Sequence, residues 1–291
     1  MPAEGEPSLA FLMFVAGLLS GKRILITGGG TGLGRSIGRR YLDLGADLLI
    51  CGRRAAVLET TALELRAETG GRVKTHVCDI RDPAAVDQMM TAIWAEAPLD
   101  GLLNNAAGNF ISRTERLSAR AFDAVLAVTL HGTAYCTMAV GKRWIEGKRG
   151  GSILSIVSTS VFTGRAFTVP SAAAKAGVLA MTRSLAVEWG PHGIRTAAIA
   201  PGLFPTAGAM SRLSPGGADA TIAGVPLRRA GDHAEIANLA SFLMSDQAGY
   251  INGDCITIDG GRWLAEGAAQ NDALFDWTEE QWDQFRGSRK A

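Results

Sequence analysis

The stretch Thr27-Gly28-Gly29-Gly30-Thr31-Gly32-Leu33-Gly34 has the residue types and spacing for binding chemistry. Gly28 and Gly32 permit a tight turn and close approach of backbone to a pyrophosphate, and Gly34 lets a following helix pack against a sheet. That helix would offer free N–H groups and the positive end of its dipole to the phosphates. A second feature lies at Leu49-Ile50-Cys51-Gly52-Arg53-Arg54. An acidic residue at such a strand end would bond a ribose 2′-hydroxyl; none is present, and two arginines stand where a 2′-phosphate would lie. Arginine grips phosphate with forked, charge-assisted bonds worth about 1.5–3 kcal/mol. The pair predicts NADP(H) rather than NAD(H). Asp79 could accept from the adenine amino group, or serve as a turn residue or helix cap ahead of Pro83.

Positioning these residues requires strand, glycine turn and helix in succession, and the flanks supply it: an apolar run, Ile24–Ile26, leads in and an amphipathic segment, Arg35–Leu44, follows. The same alternation continues along the chain. Strands are expected at Arg23–Thr27, Asp47–Cys51, Val73–Cys78, Gly101–Asn104, Ser152–Ser158, Arg195–Ala200 and Cys255–Ile258. Several are continuous apolar runs, as parallel strands covered on both faces should be. Helical patterns fall between them at Ala55–Glu68, Ala84–Ala95, Ala119–Trp144 and Ser171–Trp189. The expected fold is α/β: a single-domain, Rossmann-like, doubly wound parallel sheet of about seven strands with helices on both faces. It would occupy residues 21–265, with an apolar N-terminal arm over 1–20 and a helical extension over 266–291. The stretch Pro201–Pro226, rich in glycine and proline, reads as a mobile region near the site.

Composition narrows the function. The 291 residues are 47% hydrophobic and 20% charged, enough for a well-filled core. A formal net charge of +1 gives no electrostatic case for nucleic acid. The four cysteines, Cys51, Cys78, Cys136 and Cys255, are scattered without a CxxC pair and read as reduced core thiols of a cytoplasmic protein. The four histidines lack ligand spacing, so no metal site is expected. The apolar run Leu9–Leu19 is too short to span a bilayer and follows Glu4 and Glu6 rather than a basic region, which argues against a signal peptide. It reads as a helix or arm docked on the core or on another subunit, with peripheral membrane contact as the alternative. The segment Asp272–Arg286 carries Leu274, Phe275, Trp277, Trp282 and Phe285 among acidic residues, spacing that suits a partly buried helix over the substrate site or a subunit contact.

Together these features resemble the short-chain dehydrogenase/reductase family over nearly the whole chain. The resemblance rests on Thr27–Gly34, Asp79, Asn104-Asn105-Ala106-Ala107-Gly108, the serine-rich strand end near Ser158, Lys175, Pro201-Gly202 with Thr206, and Asp259-Gly260-Gly261. Within the family, Asn104–Ser118, Val169-Pro170-Ser171 running into Ala174-Lys175-Ala176-Gly177, and Cys78–Pro83 look like the 2,4-dienoyl-CoA reductases. The resemblance implies that Gly28, Gly29, Gly30, Thr31, Gly32 and Leu33 line the cofactor together with Pro201, Gly202, Leu203 and Phe204. It implies that Asn105 sits beside a ribose, that Thr206 lies near the nicotinamide end and that Lys175 holds the nicotinamide ribose hydroxyls. It also implies acyl-CoA contacts at Arg81, Phe110, Ser118 and Arg212. A homo-oligomer, tetramer or dimer, is the family expectation.

The sequence departs from the family pattern at the proton donor. The usual site pairs a tyrosine with a lysine four residues later, and the lysine lowers the tyrosine pKa. Four residues before Lys175 stands Ser171. The chain has only Tyr41, Tyr135 and Tyr250, none suitably placed. Mitochondrial dienoyl-CoA reductases also carry serine there and place their tyrosine upstream, at a position aligned with Ser160. The usual active-site asparagine is Thr129, and His131 replaces a second. Hydride addition to a conjugated thioester builds an enolate or dienolate, which hydrogen bonds to the thioester oxygen can stabilise. Ser158, Ser160, Ser171, Thr129 and Lys175 are candidate donors or water holders. His131 could act as an acid or be a helix histidine bonded to backbone. The expected activity is NADPH-dependent reduction of an enoyl- or 2,4-dienoyl-CoA thioester. The alternatives are reduction of another carbonyl or activated alkene, and a catalytically silent NADP(H)-binding protein.

Overall fold

β1 (Arg23–Thr27) occupies the middle of a seven-stranded parallel sheet in the order β3-β2-β1-β4-β5-β6-β7. The computed structural model describes residues 16–206, 208, 222–266, 274 and 277–287. The other strands are β2 (Asp47–Gly52), β3 (Val73–Val77), β4 (Gly101–Asn104), β5 (Gly151–Ile156), β6 (Ile194–Pro201) and β7 (Cys255–Ile258). The direction in which successive strands are added reverses at β1, whose parallel neighbour on the other side is β4, paired through Ile24↔Gly101, Leu25↔Leu102 and Ile26↔Leu103. Ligands of open α/β sheets bind at the carboxyl ends of strands flanking such a reversal.

Strand residues alternate between two cores, which explains their unbroken apolarity. Ile24, Ile26, Leu48, Ile50, Leu103, Leu154 and Ile199 pack on one face against Ile37 and Tyr41 of α1 (Gly32–Asp43) and Leu58 and Leu65 of α2 (Ala55–Thr69). Leu25, Leu49, Leu102 and Ile153 pack on the other against Met90 and Ile93 of α3 (Pro83–Glu96) and Val140 and Trp144 of α5 (Gly132–Glu146).

The expected helix over 119–144 is present with an interruption. α4 (Ala119–Leu126) passes through a π turn, Ala127–His131, into α5. The stretch Ala119–Glu146 is apolar and long enough to cross a membrane. Val125, Thr129, Cys136, Val140 and Trp144 are instead buried in the domain. α6 (Ser160–Thr163) precedes α7 (Val169–Trp189), which starts two residues earlier than periodicity suggests, with Pro170 in its first turn. β5 ends at Ile156, leaving Ser158 beyond the strand.

A twelve-residue helix, α8 (His233–Met244), lies in a stretch that the periodicity leaves unassigned. Its start is built by a capping box in which Asp232 accepts from Ala234 N at 2.7 Å and Glu235 accepts from Asp232 N at 2.8 Å. α8 lies along α1, and Arg40 Nε donates to Asn238 Oδ1 at 2.8 Å. Short helices α9 (Arg262–Glu266) and α10 (Glu279–Gly287) follow β7.

The arm and the C-terminal extension are described only in part. Leu19 is fully buried and donates its N–H to Leu44 O at 2.9 Å, so the arm's end docks on the core. Residues 9–15 lie outside the described residues. In the extension, Trp277 and Trp282 meet edge-on at 4.9 Å.

Candidate active site

At the end of β1 the glycine loop is stitched to β4. Thr27 Oγ1 accepts from the backbone N–H of Asn105 at 3.0 Å and of Ala106 at 3.1 Å. Asn105 Nδ2 donates back to Thr27 O at 3.0 Å and Gly28 O at 3.2 Å. The Asn105 amide nitrogen therefore shapes the loop. Gly28 (φ +66°) and Gly32 (φ +54°) adopt the left-handed backbone that glycine tolerates. A Cβ on Gly34 would lie 2.6 Å from both Gly28 O and Asn105 Nδ2, so helix and loop touch through backbone alone. Thr61 Oγ1 fixes the loop's other side by donating to Gly30 O at 2.8 Å. α1 starts with no side-chain cap at Thr31 and no acidic residue in its first turn, which leaves its first N–H groups to an anion. This cradle fits the pyrophosphate of a dinucleotide.

Beside it, Arg53 and Arg54 are exposed at the end of β2 and the start of α2. No hydrogen bond or ion pair to a described residue holds either guanidinium. Asp79 and Arg81 find each other: Arg81 Nε and Nη2 grip the Asp79 carboxylate at 2.9 and 2.5 Å, and Arg81 N donates to the same carboxylate at 3.1 Å. Hydrogen bonds from Arg81 hold the Asp79 carboxyl below the usual carboxylate range. Asp79 thus shapes the turn, while the cap of α3 is Asp82, which accepts from Ala84 N at 2.9 Å.

Across the groove lies the segment after β6. Pro201 pairs with Ile258, and Gly202 donates to Ile258 O at 2.9 Å. A Cβ on Gly202 would lie 2.6 Å from Asp259 Cβ. Leu203 O accepts from Gly231 N, and the Phe204 ring is buried in the core, so only the Phe204 backbone remains for a ligand. Thr206 closes over the glycine loop: its Cγ2 lies 3.3 Å from where a Gly32 Cβ would be.

The lysine half of the site is deeply set. Lys175, on α7, is 8% exposed and donates from Nζ to Ile156 O at the end of β5. Burial pulls its pKa down to about 8. Two residues beyond Ile156, Ser158 Oγ accepts from Ser160 Oγ at 3.2 Å. Ser171 lies half-buried one helical turn before Lys175. Thr129 is fully buried in the π turn and accepts from Gly108 N at 3.2 Å, tying the loop after β4 to that turn. Leu130 of the same turn touches α7 at Gly177, where a built Cβ would meet it at 3.0 Å. His131 stands on the exposed side, its ring 6.3 Å from that of Tyr135, with no hydrogen bond to a described residue. Tyr41 is buried in the core with its hydroxyl on Ala240 O at 3.3 Å, and Tyr250 is fully exposed before β7.

The residues expected at the acyl-CoA have these surroundings. Arg81 is paired with Asp79, Ser118 caps α4 by accepting from Ala121 N at 3.2 Å, and Phe110 is half-buried in the loop after β4. Arg212 lies outside the described residues, as do 207 and 209–221 of the loop read as mobile. An apolar rim that sequence reasoning missed is made of residues that follow β4, β5 and β7. Phe167 O accepts from Ser112 N at 2.9 Å, and Phe167 holds a left-handed backbone (φ +63°) while exposed. Phe162 stacks on Trp263 at 5.0 Å. Exposed Ile111 and Leu264 adjoin these residues in sequence. Helical spacing gives no signal for such a rim, because its members come from three separate loops and short helices.

No group of three or more metal-ligating side chains occurs among the described residues. The buried thiols of Cys51 and Cys136 have their pKa values pushed up by burial, which leaves them unreactive.

Comparison with known proteins agrees with this geometry. A family model described as enoyl-(acyl carrier protein) reductase matches residues 28–262. A probable 2,4-dienoyl-CoA reductase ((2E)-enoyl-CoA-producing) of Bacillus subtilis is 45% identical over 247 residues, 84% of this chain and 97% of that protein. A solved short chain dehydrogenase from Bacillus anthracis is 43% identical with a TM-score of 0.76, covering 83% of this chain and 96% of that one. A candidate 2-deoxy-D-gluconate 3-dehydrogenase from Agrobacterium tumefaciens, solved with bound NADP, is 33% identical with a TM-score of 0.78, covering 85% and 98%.

Proposed function

The chain belongs to the short-chain dehydrogenase/reductase family, and from that premise we propose that it is an NADPH-dependent reductase of 2,4-dienoyl- or 2-enoyl-CoA thioesters. The observation that carries the reading is the buried Lys175 on α7 with Ser171, not tyrosine, one turn before it. A site without a phenolic acid is poorly suited to protonating an alkoxide. It suits a reaction whose charge spreads into a thioester enolate, where hydrogen-bond donors suffice. The B. subtilis relative's name supports the same substrate class.

NADPH, when bound, supplies the hydride. Arg53 and Arg54 take the 2′-phosphate, since no described residue engages either guanidinium group at the end of β2 and no carboxylate occupies that strand end. Gly28–Leu33 and α1 hold the pyrophosphate. The Lys175 ammonium donates to the nicotinamide ribose hydroxyls, held in place by Ile156 O. Ser158 and Ser171 donate to the thioester oxygen. Ser160 orients Ser158 through their hydrogen bond. The proton that quenches the dienolate or enolate, at a carbon other than the one that takes the hydride, comes from water held by these hydroxyls or by His131. The balance is dienoyl thioester plus NADPH plus a proton, giving enoyl thioester plus NADP+. The rim of Phe162, Phe167 and Trp263 would shelter the acyl chain. The unpaired thiols fit a cytoplasmic protein, and the family habit supports a homo-oligomer.

The test is NADPH oxidation with a 2,4-dienoyl-CoA and a matched 2-enoyl-CoA, each repeated with Lys175→Ala. Turnover of either substrate that collapses in the variant supports the reading. NADPH binding without turnover of either substrate excludes it.

A further inference from the structure

We infer that His233, a residue no family motif points to, is a positioning residue that clamps the two walls of the cofactor groove together. The inference rests on the nicotinamide-dinucleotide reading of that groove. One wall is the glycine loop with the first turn of α1; the other is the segment Pro201–Thr206. The His233 imidazole lies between them. Its Nε2 is 2.8 Å from Pro205 O and its Nδ1 is 2.8 Å from Ser36 Oγ. A carbonyl only accepts, so Nε2 carries the proton. In the neutral ring Nδ1 then accepts from the Ser36 hydroxyl, whose oxygen also lies 3.2 Å from Gly32 O. Gly32 is the residue over which Thr206 closes. The bridge from Pro205 through His233 to Ser36 therefore spans the point where the walls meet.

The brace has a rigid base. His233 is the first residue of α8, directly after the capping residue Asp232, and α8 is locked along α1 by Arg40 and Asn238. Glu235, two residues on, is engaged by Arg229 at 2.7 Å. Pro205 itself has no N–H to tie its segment down, so its carbonyl is its backbone handle. Without the imidazole, the segment carrying Thr206 loses the bridge from Pro205 to Ser36. A dinucleotide would then have to order that wall on binding, and its affinity falls.

The test uses the full chain as His233→Ala, His233→Gln, Ser36→Ala and the Ser36→Ala/His233→Ala double variant. Dissociation constants for NADPH and NADH are read by nicotinamide fluorescence, and melting temperatures are read without nucleotide. His233→Ala should weaken both nucleotides by roughly tenfold and by the same factor, because the clamp does not touch the 2′-phosphate. The loss should fall on KM for NADPH rather than on kcat. Ser36→Ala should show a smaller loss, and the double variant should be no worse than His233→Ala alone. His233→Gln, which can again donate to Pro205 O, should recover most of the affinity. Unchanged dissociation constants, with or without a lower melting temperature, would overturn the clamp and leave His233 as packing. Should His233→Ala not fold, Ser36→Ala decides alone, and an unchanged constant there overturns the clamp equally. Wild-type protein that binds neither nucleotide would sink the cofactor reading and the clamp with it; binding that no variant alters sinks only the clamp.

Discussion

Lys175 Nζ reaches the carbonyl of Ile156 from the middle of α7, so a charged amine is held inside the protein where the sheet ends. Its pKa falls from 10.5 to about 8, through burial alone. Between those values the unfolded chain keeps the proton and the folded chain does not, so the Lys175 contribution to stability rises with pH from about 8 to 10.5. Below 8 the cost of the buried ammonium is fully present. Lys175→Met should therefore be more stable than wild type at pH 7, by an amount on the order of 2–3 kcal/mol. The advantage should shrink toward pH 10.5. Tyr41 and Cys51, with raised pKa values, act oppositely in both proteins and cancel in the difference. Denaturant unfolding of both proteins across this range checks it; a pH-independent difference would refute the assignment.

The same shift sets an activity limit. Under the proposed function, donating to the ribose hydroxyls calls for the ammonium form of Lys175. The plot of kcat/KM against pH should fall through about 8 on its alkaline side. An alkaline limb near 10 would mean that Lys175 is not the titrating group.

Arg53 and Arg54 can be tested by cofactor preference. Replacing both with alanine should raise the NADPH dissociation constant by about ten- to hundredfold, while NADH changes by less than about threefold. Equal losses for both nucleotides would place the arginines elsewhere than at the 2′-phosphate.

Thr27 supports two N–H groups with one hydroxyl. Thr27→Val keeps the shape and strands both donors, so it should cost about 2–3 kcal/mol of stability. Thr27→Ser should cost less than about 1 kcal/mol. Matched unfolding curves for the two variants decide between a polar role and a purely steric one.

Asp232→Ala removes the side-chain cap of α8 and should destabilise the fold by about 1 kcal/mol. Because α8 packs on α1, the variant should also loosen the glycine loop. Hydrogen exchange at Ser36 and Ile37 should rise with it, and protection identical to wild type would separate the two helices energetically.

Several features of this protein are determined by local sequence. Apolar runs buried on both faces dictate parallel strands, and β1, β4 and β7 fall at the expected residues because their neighbours break the pattern sharply. Gly28, Gly32 and Gly34 declare the cradle, since few other residues can take those angles or that contact. The arginine pair Arg53–Arg54 at the end of β2 and Lys175 within a helix are likewise legible in the sequence. Tertiary structure alone decides which of these groups are free. Asp79 reads in the sequence as either an adenine contact or a turn residue, and the structure shows its carboxylate held by Arg81; the Asn105 side-chain nitrogen bonds Thr27 and Gly28 across 78 and 77 positions, a link the linear sequence does not reveal. Phe204 turns into the core, and Ser118 becomes a helix cap. α8 is the plainest case: its capping box is local, but its seat on α1, and with it the reach of His233 to Pro205 and Ser36, joins residues separated by 28 and 197 positions. Hydrogen bonds and burial are settled by three-dimensional neighbours, and a chain read in order does not contain their distances.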